Sequence, residues 1–243
     1  EYARLYRLED RLWWFVGMRR IAEALLAPTL ADGALCILDA GCGTGGALRW
    51  LAPYGRVWGM DRSTDALAYC RRRRLTRVCQ GSLLALPYSD ATFDLITSFD
   101  VLYHHGVSDD VAALRELRRV VRPGGWGLVR VPALPALWSA HDEAVHARQR
   151  YWLGELRAKA EQAQWEVVRG TYANTLLLPG AAAARWVKAA RQEAGGHNGE
   201  SEVQEVSGLV NAALTATMWL EAQWLRWADL PLGLSALVLL RAR

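Results

Sequence analysis

Residues 38–46, Leu38-Asp39-Ala40-Gly41-Cys42-Gly43-Thr44-Gly45-Gly46, set a carboxylate beside four glycines, a composition that lets a ligand approach backbone N–H groups closely. Gly41, Gly43 and Gly46 satisfy the spacing G-x-G-x-x-G, and Asp61 stands 20 residues beyond Gly41, where one carboxylate can accept both hydroxyls of a ribose. That pattern serves dinucleotides and other nucleosides alike. Asp39 separates them: two residues before the first glycine, it repels a pyrophosphate and attracts an ammonium or sulfonium. Its structural alternative is to cap the turn.

Proton-transfer chemistry falls to histidine. His104 and His105 follow the apolar run at Phe93 to Thr97, and His141 and His146 follow the run at Gly127 to Val131. Imidazole titrates close to neutrality, so it can take a proton from a phenol or sugar hydroxyl. His104, His141 and His146 are the candidate catalytic bases, whereas His105 and His197 read as loop hydrogen-bonding residues. The stretch from His141-Asp142-Glu143 through His146, Arg148, Arg150 and Tyr151 is rich in groups able to hold an acceptor; a solvated helix face is the ordinary alternative.

These groups need a scaffold, and the periodicity supplies one. Residues 1–30 read as a helical cap with Leu12, Phe15, Ile21, Leu25 and Leu26 near helical spacing. Short apolar runs follow, at Cys36 to Leu38, Val57 to Met60, Phe93 to Thr97 and Gly127 to Val131, alternating with helical segments. Such alternation argues for an α/β, doubly wound parallel sheet covered on both faces. A helix is expected from an N-cap at Ser108 to Arg122-Pro123-Gly124-Gly125, with Val111, Leu114, Leu117 and Val121 on one stripe. A helix over about 154–163, a strand near 165–172 and a last strand over 235–240 complete the pattern. The chain divides into a cap (1–30), a cofactor-binding core (31–132), a crossover carrying the acceptor (133–163) and a helical insertion (173–232) within one domain.

Composition narrows the setting. Of 243 residues, 52% are apolar and 22% charged, enough to build a buried core and too apolar for disorder. Cys36, Cys42, Cys70 and Cys79 have spacings of neither a disulfide framework nor a paired zinc site, so a reducing cytoplasm is expected. The longest uncharged run, Val206 to Leu220, is too short to cross a bilayer. The net charge of +4 is small and spread out, and Arg71 to Arg74 fall at a helix end, where they complement its dipole. Nucleic acid is therefore not the expected partner. The insertion, with 176–179, 206–227, Arg185, Lys188 and Arg191, suits a lid over a lipophilic molecule or contact with a membrane surface.

Four blocks in order carry a family resemblance: 38–46; Val57-Trp58-Gly59-Met60-Asp61-Arg62-Ser63; Gln80-Gly81-Ser82 through Phe93-Asp94-Leu95-Ile96 to Phe99-Asp100-Val101-Leu102-Tyr103-His104; and Arg119-Val120-Val121-Arg122-Pro123-Gly124-Gly125. The chain resembles the class I S-adenosylmethionine-dependent methyltransferases of the small-molecule type, closely over about 30–132. The resemblance implies a Rossmann-like seven-stranded sheet with the last strand antiparallel and S-adenosylmethionine as methyl donor. It places Asp39, Gly41, Cys42 and Gly43 at the aminoacyl end, and Asp61 and Arg62 at the ribose. Ser82 and Leu83 go to the adenine, with Ser82 where many relatives carry Asp, and Phe99 to the methyl group. Trp14 and Arg19 would close from the cap, Arg19 pairing the cofactor carboxylate.

The resemblance further implies transfer by direct displacement to a small lipophilic or aromatic acceptor, with O-methylation favoured. An RNA or other macromolecular acceptor, a non-methylating use of the fold and a dehydrogenase are the alternatives. Some metal-dependent O-methyltransferases bind a divalent ion through an acidic-x-x-Glu-His block. Here the matching residues are Asp100, Tyr103 and His104, and even with His141 or His146 as a further ligand, one carboxylate with two imidazoles is a poor cage for Mg²⁺. No metal site is therefore expected, and the oligomer is expected to be a monomer or homodimer.

Overall fold

The computed structural model describes residues 2–30, 34–180 and 206–243. Its sheet follows from alternation. Ile37, Leu95, Leu128 and Leu237 enter one buried cluster, while their neighbours Leu38, Ile96, Val129 and Val238 enter the other. Side chains of period two, apolar on both faces, make strands that must be covered on both sides. The strands are β1 (Leu35–Ala40), β2 (Gly55–Asp61), β3 (Val78–Gln80), β4 (Phe93–Phe99), β5 (Val121–Pro132), β6 (Trp165–Ala173) and β7 (Ser235–Ala242), in the order 3-2-1-4-5-7-6. β7 is antiparallel to β5 and β6, and the pairs from β3 through β5 are parallel. The expected class, Rossmann-like with an antiparallel last strand, is the one observed.

The helices, in chain order, are α1 (Tyr2–Leu8), α2 (Trp13–Leu26), α3 (Gly46–Leu51), α4 (Thr64–Arg72), α5 (Asp110–Val120), α6 (Ala140–Ala144), α7 (Leu153–Gln162) and α8 (Gly208–Trp224). α2 and α8 cover one face through Ile21, Leu25, Met218 and Ala222; α5 and α7 cover the other through Leu114, Leu117, Leu156 and Ala160.

Three sequence expectations shift. The cap is two helices, because residues 9–12 break the run and let α1 fold back towards α4, where Tyr6 meets Tyr69 with ring centres 5.1 Å apart. α5 is capped by Asp109, whose carboxylate accepts from the N–H groups of Val111 and Ala112, so Ser108 lies outside the helix. Val121 already belongs to β5, and Val120 takes its place on the buried stripe. Of the insertion, α8 is described, while Arg185, Trp186, Lys188, Arg191 and His197 lie outside the described residues. No described helix is long and apolar enough to cross a membrane.

Candidate active site

The carboxyl ends of β1, β2, β4 and β5 open into a cavity of about 650 Å³, roofed by α1 and α2. Parallel sheets bind ligands at this edge, where the strand order reverses between β1 and β4. The turn after β1 can form only from glycine. Gly41 has φ +91°, and a Cβ there would stand 2.1 Å from Val101 Cγ2; Gly43 and Gly45 also have positive φ, at +53° and +90°. The turn therefore packs directly against the Val101 side chain from the loop after β4.

Asp61 ends β2 and organises this turn. One of its oxygens accepts the Gly43 N–H at 2.8 Å and the other accepts the Ser63 N–H at 2.8 Å. Each oxygen keeps a lone pair for a further donor, and the residue lines the cavity. That is the arrangement a ribose diol requires.

Asp39 is 2% exposed and accepts from Thr97 Oγ1 at 2.7 Å. Burial pushes its carboxyl up to about 7, against the Thr97 hydrogen bond, with the Asp61 charge adding to the rise. A cation in the cavity would relieve this cost, whereas a pyrophosphate would add to it. The residues present thus fit S-adenosylmethionine, a nucleoside carrying positive charge at its aminoacyl end.

Arg62, Ser82, Leu83, Cys42 and Phe99 line the same cavity. Leu83 and Cys42 are buried, and the Ser82 hydroxyl accepts from the Leu84 N–H at 3.2 Å. Arg19 also lines it, its Nε buried without a hydrogen-bond partner and 3.8 Å from Glu23 Oε1. Trp14 is placed elsewhere. It packs into the α2 side of the core, edge-on to Trp13 with centroids 5.8 Å apart, and the neighbouring Phe15 faces the cavity instead.

Several cavity residues escaped the sequence reading. Phe15, Met18 and Ala22 fall at i, i+3 and i+7, on the face that also carries the expected Arg19, so the helical phase of α2 carried that signal. α1 contributes Tyr2 and Leu5, with Glu9 just beyond its end. It is held by Arg73, which reaches Glu9 at 2.6 Å, Asp10 at 2.8 Å and the Tyr6 carbonyl at 3.0 Å, and lies over the Tyr6 ring. Arg73 is thus a clasp for the roof as well as a helix-end charge.

Of the three candidate bases, only His104 lines the cavity. Its Nδ1 accepts from the Gly106 N–H at 3.4 Å, and its ring lies 6.0 Å from that of His146. His141 on α6 and His146, which has φ +54°, are not part of the cavity wall, to which Val145 between them contributes.

The polar groups of the crossover are largely committed to one another. Asp142 and Arg150, both buried, pair at 2.8 Å, and Arg150 also donates to the Ala133 carbonyl. Arg148, Gln149, Tyr151 and Lys159 converge on the buried carboxylate of Asp110, with Lys159 at 2.6 Å and the Tyr151 hydroxyl at 3.1 Å. This hub straps down the loop after β4, because the Arg148 N–H donates to the Tyr103 carbonyl at 2.7 Å and the His105 N–H to the His146 carbonyl at 3.0 Å. Asp100, considered above as a metal ligand, is held by Arg130 at 2.5 Å. Among the described residues, no three His, Cys, Asp or Glu side chains gather as metal ligands.

Comparison with known proteins agrees with this geometry. Residues 38–129 match the methyltransferase domain family. The malonyl-[acyl-carrier protein] O-methyltransferase of Enterobacter lignolyticus is 34% identical over 171 residues, covering 66% of this chain and 65% of that protein. The enzyme of the same name from Pseudescherichia vulneris is 31% identical over 191 residues, covering 74% and 75%. The match thus spans just under two thirds of the first relative's length and three quarters of the second's. The crystal structure of an S-adenosylmethionine dependent methyltransferase from Mesorhizobium loti has a TM-score of 0.56 at 18% identity, covering 91% of this chain and 99% of that one. At that identity the likeness concerns the fold.

Proposed function

This chain belongs to the class I S-adenosylmethionine-dependent methyltransferases, and we propose that it transfers the methyl group to an oxygen of a small acceptor. The observation that carries this reading is the clasp of Asp61 on Gly43 and Ser63 at the mouth of the glycine turn. When bound, S-adenosylmethionine supplies a carbon already activated by its sulfonium, so the protein must chiefly align the partners and exclude water. Asp61 holds the ribose diol, Asp39 favours the cationic aminoacyl end, and Arg19 pairs its carboxylate. α1 and α2 roof the site through Leu5, Phe15 and Met18.

The acceptor enters between Phe99, Tyr103, His104 and Val145. The relatives named above act on a malonyl group, whose free carboxylate is an oxygen nucleophile already ionised at neutral pH. Such an acceptor needs no base, which suits a cavity wall that carries His104 but neither His141 nor His146. Residues 1–243 act as one methyltransferase domain in this reading, and the four free thiols suit a reducing compartment.

The test is incubation with methyl-labelled S-adenosylmethionine and matched carboxylate, phenol and amine acceptors. Label recovered as a methyl ester or ether is the expected result. Label found only on nitrogen, or none with the cofactor demonstrably bound, overturns the proposal.

A further inference from the structure

Arg130 is a charge inside an apolar strand. β5 carries it between the buried Val129 and Val131, it is itself 9% exposed, and it reaches the cavity wall. A buried guanidinium persists only when it is paired. Its partner is Asp100, the first residue beyond β4, which takes Nε at 3.1 Å through each oxygen and Nη2 at 2.5 Å through one.

The backbone is bent to make this pair. Asp100 has φ +57°, in the left-handed region that most residues avoid and Asp tolerates better than most, and its N–H donates to the Arg130 carbonyl at 2.9 Å. A third contact fixes the plane, since the guanidinium carbon lies 5.1 Å from the centre of the Phe99 ring.

Asp100 therefore occupies the Nε edge of the fork and Phe99 lies against one face. Nη1 donates to none of the described residues. A planar fork whose orientation is set by packing and one acid, with its other edge unclaimed beside a cavity, suits a second carboxylate, because two parallel N–H groups match two oxygens. Of the other cavity cations, Arg19 belongs to the α2 wall near Glu23, and Arg62 leans on Gly106. Arg130 is the one stacked on Phe99, the residue that the family resemblance sets beside the transferred methyl.

We propose that Arg130, held in place by Asp100, binds the acceptor through a carboxylate and selects acidic acceptors over neutral ones. This rests on the methyltransferase reading of the same cavity. Arg130 is the binding residue, and Asp100 is a positioning residue that acts through it.

The experiment is a calorimetric titration of the full chain, saturated with S-adenosylhomocysteine, by malonyl N-acetylcysteamine and by its acetyl counterpart. Wild type should bind the malonyl thioester about 30-fold or more tighter than the acetyl thioester, as expected for a charge pair made in a dry site. Arg130→Gln should erase that preference while S-adenosylhomocysteine affinity stays within about twofold, and Arg130→Lys should restore part of it. Should Arg130→Gln fail to fold, the double variant Arg130→Gln/Asp100→Asn removes both charges together and carries the same test. A wild type without the preference, or a folded variant that keeps it, overturns the proposal. Failure of wild type to bind S-adenosylhomocysteine at all instead overturns the reading on which the proposal rests.

Discussion

At the β1–β2 end of the cavity the wall comes from one short stretch, residues 39–63, whose glycine turn is fixed by the Asp61 carboxylate. At the β4–β5 end the wall is gathered from residues 99–107, Arg130 and Val145, and Asp100, Tyr103 and His105 are tied to partners far along the chain. In the proposed reading the first end recognises a constant ligand by glycine conformation and two carboxylates, Asp39 and Asp61. The second is a set of side chains spent largely on one another, so that what it admits is decided by the few groups left over. A fold can keep its donor site as a motif while its acceptor site is rebuilt from scattered positions.

The sharpest way to break this contrast is Asp61→Ala. It removes the ribose acceptor and the anchor of Gly43 and Ser63 together, and it should cost at least about 100-fold in S-adenosylhomocysteine affinity, read by calorimetry. The folding transition should move little, because Asp61 sits at a strand end.

The opposite signature belongs to the far end. Asp110→Ala strands Lys159 and Arg148 beside an emptied buried site and should cost about 3–5 kcal/mol of stability, measured by denaturant unfolding. Cofactor affinity in the folded fraction should change little. Tyr151→Phe removes one hydroxyl from the same hub and should cost only about 1 kcal/mol.

Asp39 sharpens the comparison through pH. Its folded value, about 7, lies above the unfolded 3.8, so the folded protein without ligand holds an extra proton between those values. Stability contributed by that proton is present below about pH 4 and is lost as pH rises through about 7. A cationic ligand prefers the ionised carboxylate, so cofactor affinity should run the other way and fall roughly tenfold per unit below pH 7. Asp39→Asn should flatten that slope, and a slope unchanged by the substitution would separate Asp39 from cofactor binding.

The smallest effect is expected at the roof. Arg73→Ala releases Glu9 and Asp10, and α1 with them, from the end of α4 and should weaken cofactor binding about three- to tenfold, because undocking a short helix is a local event. Proteolysis at residues 9–12 should rise in parallel.

This asymmetry also explains what could be read in the sequence. Asp39, the glycines and Asp61 announce themselves, since no other residue types satisfy that turn, and strands buried on both faces write near-continuous apolar runs. Trp14 misled by one position: its bulk suggested a cap over the ligand, but the phase of α2 turns it into the core and gives the cavity to Phe15 and Arg19. The crossover misled more. Asp142, Arg148, Arg150 and Tyr151 have the types of an acceptor site, yet their spacing could not reveal that Asp110, far upstream in the chain, claims Arg148 and Tyr151 along with Gln149, and that Asp142 claims Arg150. Arg130 did leave a trace, as a lone charge within an apolar strand, and that is the kind of exception a strand pattern makes visible.

The most direct test of the central claim is calorimetry of the wild-type chain with S-adenosylhomocysteine and, separately, with NAD⁺. A single saturable site for S-adenosylhomocysteine, lost in Asp61→Ala, with no heat from NAD⁺, is the expected result. Saturation by NAD⁺, or S-adenosylhomocysteine binding that survives Asp61→Ala undiminished, would contradict it.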